Sequence, residues 1–251
     1  MMVTIWGSPG GGKTTFALAL AAALAKKRKD TLIIAADGTT PSLPVLLPTV
    51  KELNANDSIG PLLRAEHLTE QSFKGKILRH PKSDHIFIMG MARGEVGTLT
   101  YGAPRKESVR GLISRLQQMP FHYILVDCNS NPLVDPVTLA AMEWADKGYC
   151  VVTPDVKGYE FYRAQGGWLD NSDSFPMERF SLVANMVHPI TAVGEAQALF
   201  GGFEELLPFS LGINGHFTAG ELLSGCSDRQ GIEFQRKMER VASRLEEMQN
   251  E

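Results

Sequence analysis

The residues best suited to chemistry stand together near the start of the chain, in Gly7-Ser-Pro-Gly-Gly-Gly-Lys-Thr14. The spacing is G-x-x-x-x-G-K-[ST], a pattern that holds phosphate. Glycines let the backbone curl with its N–H groups turned inward, and a helix starting at Lys13 adds positive potential at the same place. Gly7, Ser8, Pro9, Gly10, Gly11 and Gly12 would form the cradle. Lys13 would reach the β- and γ-phosphates as the catalytic cation, and the Thr14 hydroxyl would coordinate Mg²⁺. Thr15 is placed to touch the α-phosphate. A chance match arises on the order of once in a hundred chains of this length. Here an apolar run, Val3–Trp6, precedes the motif and a helical pattern follows it. That context selects a nucleotide site over a glycine-rich turn.

A second group is acidic. Asp127 ends the apolar run His122-Tyr-Ile-Leu-Val-Asp127, and Asp37 ends Thr31–Ala36 in the same manner. Open α/β sheets gather ligands at the C-terminal tips of their strands, and an aspartate there can hold Mg²⁺ directly or through water. Either aspartate alone reads equally as a cap or a turn residue. Two of them behind a phosphate loop favour Asp127 as a metal residue and Asp37 as a catalytic one that orients water.

The elements that must position these groups follow from the apolar pattern. Strands are expected at Val3–Trp6, Thr31–Ala36, His85–Met91, Tyr123–Val126, Gly148–Val152, Phe180–Ala184 and Leu206–Phe209. Helices are expected at Lys13–Lys29, Val45–Leu53, Glu107–Gln118, Pro136–Ala145, Gly158–Trp168, Thr191–Leu199 and Gly231–Met248. Several strands are apolar without alternation, which fits burial on both faces. The alternation of strand and helix predicts an α/β fold in three layers, a mostly parallel central sheet with helices on both faces. Residues 1–251 read as one domain, with residues 228–251 forming a C-terminal helix. Gly38–Asp84 carries Pro41, Pro44, Pro48, Pro61 and Pro81, and reads as short helices and loops without a sheet strand. It is either a switch or lid, or an ordinary insertion.

Composition narrows the function further. The chain has 251 residues, 43% hydrophobic and 21% charged, with a net charge of -3. There is no strong nucleic-acid signal in that balance, and the run Lys26-Lys-Arg-Lys29 reads as a solvated helix end. Phe16–Ala25 is far short of the roughly 20 residues of a transmembrane segment. With the glycine motif before it, it reads as a buried helix and not as a signal peptide. Three cysteines, an odd number without metal-like spacing, suit a reduced, cytoplasmic protein. In Asp228–Glu251 the stripe Met238, Val241, Leu245 and Met248 is narrow, and five basic residues face six acidic ones. That balance favours packing against the domain or a partner over lying on a membrane.

Beyond these features the chain resembles the MinD/ParA group of P-loop ATPases from about Val3 to Leu211. TLIIAAD, ending at Asp37, is similar to the segment carrying the group's switch I aspartate. FHYILVDCNSNP resembles its following strand and switch II, with Asp127 as the acidic residue, and ADKGYCVVTPD resembles the next strand. FSLVANMV resembles the strand whose asparagine, here Asn185, faces the adenine base. LLPFS resembles the late turn beside that base, here Pro208. The resemblance implies ATP and Mg²⁺ as cofactors, weak ATPase activity, and a nucleotide-dependent homodimer. It also implies a protein partner in a localisation or assembly machine. The guanine-reading N-K-x-D pattern is absent, since Met186, Val187 and His188 follow Asn185.

One departure matters. The group carries a signature lysine early in the loop that crosses to a partner's nucleotide. Ser8 stands at that position here, and Pro9 follows where glycine is usual. The trans-lysine mechanism therefore does not carry over. Atypical loops are a feature of the TadZ/CpaE-like branch, associated with pilus assembly, which the chain resembles in this respect. Two alternatives are a ParA-like DNA-partitioning ATPase and a P-loop small-molecule phosphotransferase. The latter wants an arginine-rich lid, and residues 38–84 contain only Arg64 and Arg79.

Overall fold

Each strand expected from an apolar run forms, and all of them join one sheet. The computed structural model describes residues 1–48, 53, 56–170 and 175–250. Its strands are β1 (Met2–Gly7), β2 (Thr31–Ala35), β3 (Leu78–Arg79), β4 (Ile86–Gly90), β5 (Tyr123–Asp127), β6 (Lys147–Val152), β7 (Phe180–Val187) and β8 (Glu205–Pro208). They lie in the order β3-β4-β2-β5-β1-β6-β7-β8. All neighbours pair in parallel except β3, which runs antiparallel on β4 with Leu78 opposite Ile88. The helices are α1 (Lys13–Lys26), α2 (Leu43–Leu46), α3 (Gly97–Tyr101), α4 (Lys106–Gln117), α5 (Pro136–Glu143), α6 (Val156–Asp170), α7 (Val193–Phe200), α8 (Leu211–Thr218) and α9 (Arg229–Asn250).

Period-two alternation divides the core between the two faces of the sheet. Val3, Ile5, Ile33, Ala35 and Leu125 join α1 and α9 on one side. Met2, Trp6, Leu32, Ile34 and Val126 join α4 and α5 on the other. The layers match the expected three. α1 is buried from Phe16 to Leu24, which explains why its sequence carries no polar stripe.

Three expectations about elements need correction. α1 ends at Lys26 and not at Lys29, because Arg28 turns left-handed at φ 56° and the amide of Lys27 closes on Leu24. The basic run is also not simply solvated. Lys26 pairs with Glu239 of α9 at 2.7 Å, and Lys27 and Lys29 pair with Glu246. The helix expected at Val45–Leu53 is instead the short α2, which starts at Leu43 with Pro44 in its first turn. Residues 49–52 of that expectation lie outside the described residues. Within Gly38–Asp84, finally, a sheet strand does form: β3, two residues long at the sheet edge.

α9 turns most of its expected apolar stripe inside the protein, while Met248 at its far end stays exposed. Phe234, Met238, Val241, Ala242 and Leu245 are buried on the face shared with α1. That stripe is not free for a bilayer surface, and among the described residues no helix is long and apolar enough to cross a membrane. Leu245→Ala leaves a void in this layer. We expect it to destabilise the protein by about 2–5 kcal/mol, read as a lowered midpoint of urea unfolding with unchanged slope.

Candidate functional site

β5 and β6 flank β1 on opposite sides, so the chain crosses over β1 between them. A crevice opens at such a crossover, at the C-terminal ends of the strands. Register brings the groups there level. Asp127 of β5 stands opposite Ile5 of β1 and Ala35 of β2, so the tip of β5 lies between the glycine loop and the segment holding Asp37.

The loop needs its glycines for shape and for space. A side chain at Gly7 would place its Cβ 1.8 Å from the Val151 carbonyl oxygen. Gly12 is left-handed at φ 88°, and its Cβ would fall 2.3 Å from Asn185 Nδ2. The Ser8 amide donates to Val151 O at 3.1 Å, and the Gly11 amide donates to Ser8 O at 3.0 Å. The loop thus leans on β6 and closes on itself. Pro9 and Gly10 are exposed, and Ser8 is buried with no partner for its hydroxyl. No side chain caps α1. Its first amides, with Lys13, Thr14 and Thr15, therefore lie in reach of a bound anion.

Lys13 and Thr14 point to different neighbours. Lys13 Nζ donates to Ser130 Oγ at 2.6 Å and to Ser8 O at 3.4 Å. Burial holds its pKa below the usual lysine range, and the carboxylates of Asp127 and Asp37 oppose that fall. A phosphate would supply the missing counter-charge. Thr14 Oγ1 donates to Asp127 Oδ2 at 2.7 Å, while Asp127 Oδ1 is buried without a partner. Burial raises the Asp127 carboxyl to about 6, against the hydrogen bond from Thr14 and the charge of Lys13. A hydroxyl and a carboxylate with one unsatisfied oxygen form a hard-oxygen donor set, which fits Mg²⁺ with water completing its shell.

Asp37 is held in place by its own loop and by β5's. Its Oδ1 accepts from the amides of Thr39 at 2.8 Å and Thr40 at 3.2 Å, and from Asn129 Nδ2 at 2.7 Å. Asn129 Nδ2 also reaches Thr39 Oγ1 at 3.0 Å. A second tie runs the other way: Asp135 Oδ2 accepts from the Gly38 amide at 2.8 Å. Its Oδ1 caps α5 by accepting from Val137 and Thr138. Burial raises the Asp135 carboxyl, and these amides oppose the rise. Sequence reasoning missed Asn129, Ser130 and Asp135. Asp135 alone left a signal, as an aspartate before Pro136 at a helix start.

Asn185 and Pro208 lie on the neighbouring strands β7 and β8, beyond β6. Asn185 is buried, and its Nδ2 donates to Gly11 O at 2.9 Å, which ties β7 to the loop. The β7–β8 register shifts between Ala184 and Val187, where Met186 is left-handed at φ 58°. Pro208 stands opposite Val187. Just beyond, the His188 and Phe209 rings stack with centroids 4.5 Å apart.

No protein-family model and no curated protein matches the sequence. Solved structures do match its architecture. MinD from Pyrococcus horikoshii OT3, complexed with Mg-ADP, superposes with a TM-score of 0.75 at 16% identity, covering 97% of this chain and 96% of that one. A ParA family ATPase from Chlorobium tepidum TLS gives 0.78 at 15% identity, over 96% and 98% of the two chains. A single-residue variant of McdA from Cyanothece, in complex with ATP, gives 0.74 at 17% identity, over 97% and 95%. Identities this low speak for architecture alone. With its parallel sheet, its glycine loop between β1 and α1, and this full-length superposition, the chain is built on the fold of the MinD and ParA ATPases.

Proposed function

We propose that the chain is a single ATPase domain that binds ATP with Mg²⁺, hydrolyses it slowly, and acts as a switch in localising or assembling a larger machine, such as a pilus or secretion apparatus. One observation carries the reading. Lys13, the Thr14–Asp127 pair with its unsatisfied carboxylate oxygen, and Asp37 meet at one crevice beside an uncapped helix start. Lys13 would bind the β- and γ-phosphates, with the loop amides around them. Thr14 and Asp127 would hold Mg²⁺, which neutralises phosphate charge when bound. Asp37, at the neighbouring strand end, would orient the attacking water once its loop rearranges around a γ-phosphate. Two solved relatives in fold were captured with nucleotide, as Mg-ADP and ATP complexes, which supports the ligand class.

Localisation is preferred to DNA partitioning because three of the four cations in the longest basic run, Lys26, Lys27 and Lys29, pair with glutamates of α9 and the net charge is -3. A phosphotransferase is disfavoured because residues 38–84 hold only two arginines, Arg64 and Arg79, too few for an arginine-rich lid over an acceptor. We expect ATP to bind more tightly than GTP, since the lysine and aspartate of the guanine-reading pattern do not follow Asn185. Calorimetry with the two nucleotides at equal Mg²⁺ tests this, and equal or tighter GTP binding would count against the reading.

The metal residue gives a pH test. The raised Asp127 carboxyl is protonated below about 6, and the proton competes with the metal. Mg²⁺ enhancement of nucleotide binding is therefore expected to be full above about pH 7. Below about pH 6 it should fall by about tenfold per unit. Without ligand the sign for stability is opposite: the folded form holds the proton more tightly, so stability falls as pH rises from 3.8 through about 6. Titrations at several pH values check the first trend, and Asp127→Asn should flatten both.

A further inference from the structure

Lys13 stands among opposite charges and pairs with none of them. Burial disfavours its ammonium, and the carboxylates of Asp127 and Asp37 act on it. Among the described residues, however, its hydrogen bonds go to neutral oxygens, Ser130 Oγ at 2.6 Å and Ser8 O at 3.4 Å. Only the first of these is close. Asp127 Oδ1 meanwhile is buried without a partner. A desolvated ammonium and an unsatisfied carboxylate oxygen attract each other strongly where water is scarce, so something has to keep them apart.

The loop after β5 does this. Two consecutive residues there take hold of opposite charges: Asn129 Nδ2 donates to Asp37 Oδ1 at 2.7 Å, and Ser130 Oγ accepts from Lys13. The backbone carrying the serine is fixed independently of the lysine. Trp6, buried near the end of β1, has a single side-chain donor and gives it to Ser130 O at 3.0 Å. The Asn129 amide donates to Thr138 Oγ1 at 2.9 Å, and the Asn131 amide to Asn129 Oδ1 at 2.8 Å. An ammonium has three donors. With one on Ser130, two are left for phosphate oxygens once the long contact to Ser8 O gives way. We propose that Ser130 is a positioning residue, whose hydroxyl holds the Lys13 ammonium off Asp127 and so leaves the lysine set for phosphate and the carboxylate oxygen open for metal. The proposal rests on the reading of this crevice as a nucleotide site. Without the hydroxyl, the flexible lysine stem is free to carry its charge to Asp127 Oδ1, and a phosphate then has to draw it back. Pre-setting a group in its bound position removes that cost from binding.

Calorimetric titration of Ser130→Ala with ATP and with ADP, at one Mg²⁺ concentration, tests this. ATP binding should weaken by about tenfold. ADP binding should weaken less, since ADP lacks the γ-phosphate that Lys13 would reach, so the ratio of the two affinities falls. In a Lys13→Ala background the same substitution should have no further effect on ATP, because a positioning residue acts only through the group it positions. Trp6 reports on the loop itself. The chain has three tryptophans, so in a Trp144→Phe/Trp168→Phe background the emission comes from Trp6 alone, and Ser130→Ala should leave its maximum in place. Equal losses for the two nucleotides, or an unchanged ATP affinity, would overturn the proposal. So would an undiminished loss in the Lys13→Ala background, or a moved Trp6 emission, either of which would mean that the serine holds the loop and not the lysine. A wild type that binds neither nucleotide is a separate result: it defeats the nucleotide reading and the proposal with it, whereas the other failures leave that reading standing.

Discussion

Lys13→Ala is expected to weaken Mg–ATP binding by on the order of 10²–10³-fold while leaving the fold intact. Hydrogen bonds to charged groups contribute about 1.5–3 kcal/mol each, and a lysine between two phosphates makes more than one of them. Every 1.4 kcal/mol is about tenfold in affinity. The usual objection, that such a variant simply unfolds, is answered by the lysine's surroundings. Its charge is held by Ser130 Oγ and Ser8 O in a place where burial already disfavours it. Removing a desolvated cation relieves a cost in the ligand-free protein, so the melting temperature should not fall. Calorimetry and thermal unfolding of the same preparation check both halves. Unchanged nucleotide affinity in the folded variant would end the ATP assignment.

Turnover is the second large effect. A trans-acting cation on the transferring phosphoryl group contributes about 10³–10⁵-fold in related reactions. At the position where the MinD/ParA group carries such a lysine this chain has Ser8, buried to 4% exposure, with its amide fixed to Val151 O. The side chain turns into the loop and not out towards another molecule. We therefore expect steady-state ATPase far below the roughly 1–100 s⁻¹ typical of kinases, across the whole range of protein concentration. Ser8→Lys should not restore it, because a lysine there has either to be buried or to prise the loop from β6. A wild-type rate inside the kinase range would revive the phosphotransferase alternative.

The sheet and the loop were legible in the sequence because both are local signals. A buried strand writes itself as an apolar run, and a phosphate loop as fixed glycine spacing. What escaped is weak or non-local. β3 is two residues long at the sheet edge and too short to show a period. α8 carries Gly212 and Gly215, which lower its helix propensity. Its start was marked all the same by Ser210, whose side chain accepts from the Ile213 amide. α3 follows a chain already rich in turns and spans only Gly97–Tyr101. Within the site, Lys13, Thr14, Asp37 and Asp127 could be named from spacing and strand ends. Asn129 and Ser130 could not, since an asparagine or serine in a loop has no role until the fold brings Asp37 and Lys13 beside it.

The ties from Asn129 and Asp135 carry a kinetic consequence. Asn129 spans Asp37 and Thr39, Asp135 holds the Gly38 amide, and the Gly38 carbonyl in turn accepts from Gly97 at 2.7 Å. Moving the loop after β2 while the loop after β5 stays put would break three of these contacts together. At about 1 kcal/mol each, a half-moved arrangement would be populated on the order of 1% or less. The pair then has one coordinate where two loops would ordinarily have two, and a probe on either loop should relax with the same single rate constant. Such a linkage filters out partial answers: a ligand that satisfies one loop and not the other gains nothing until both have gone over.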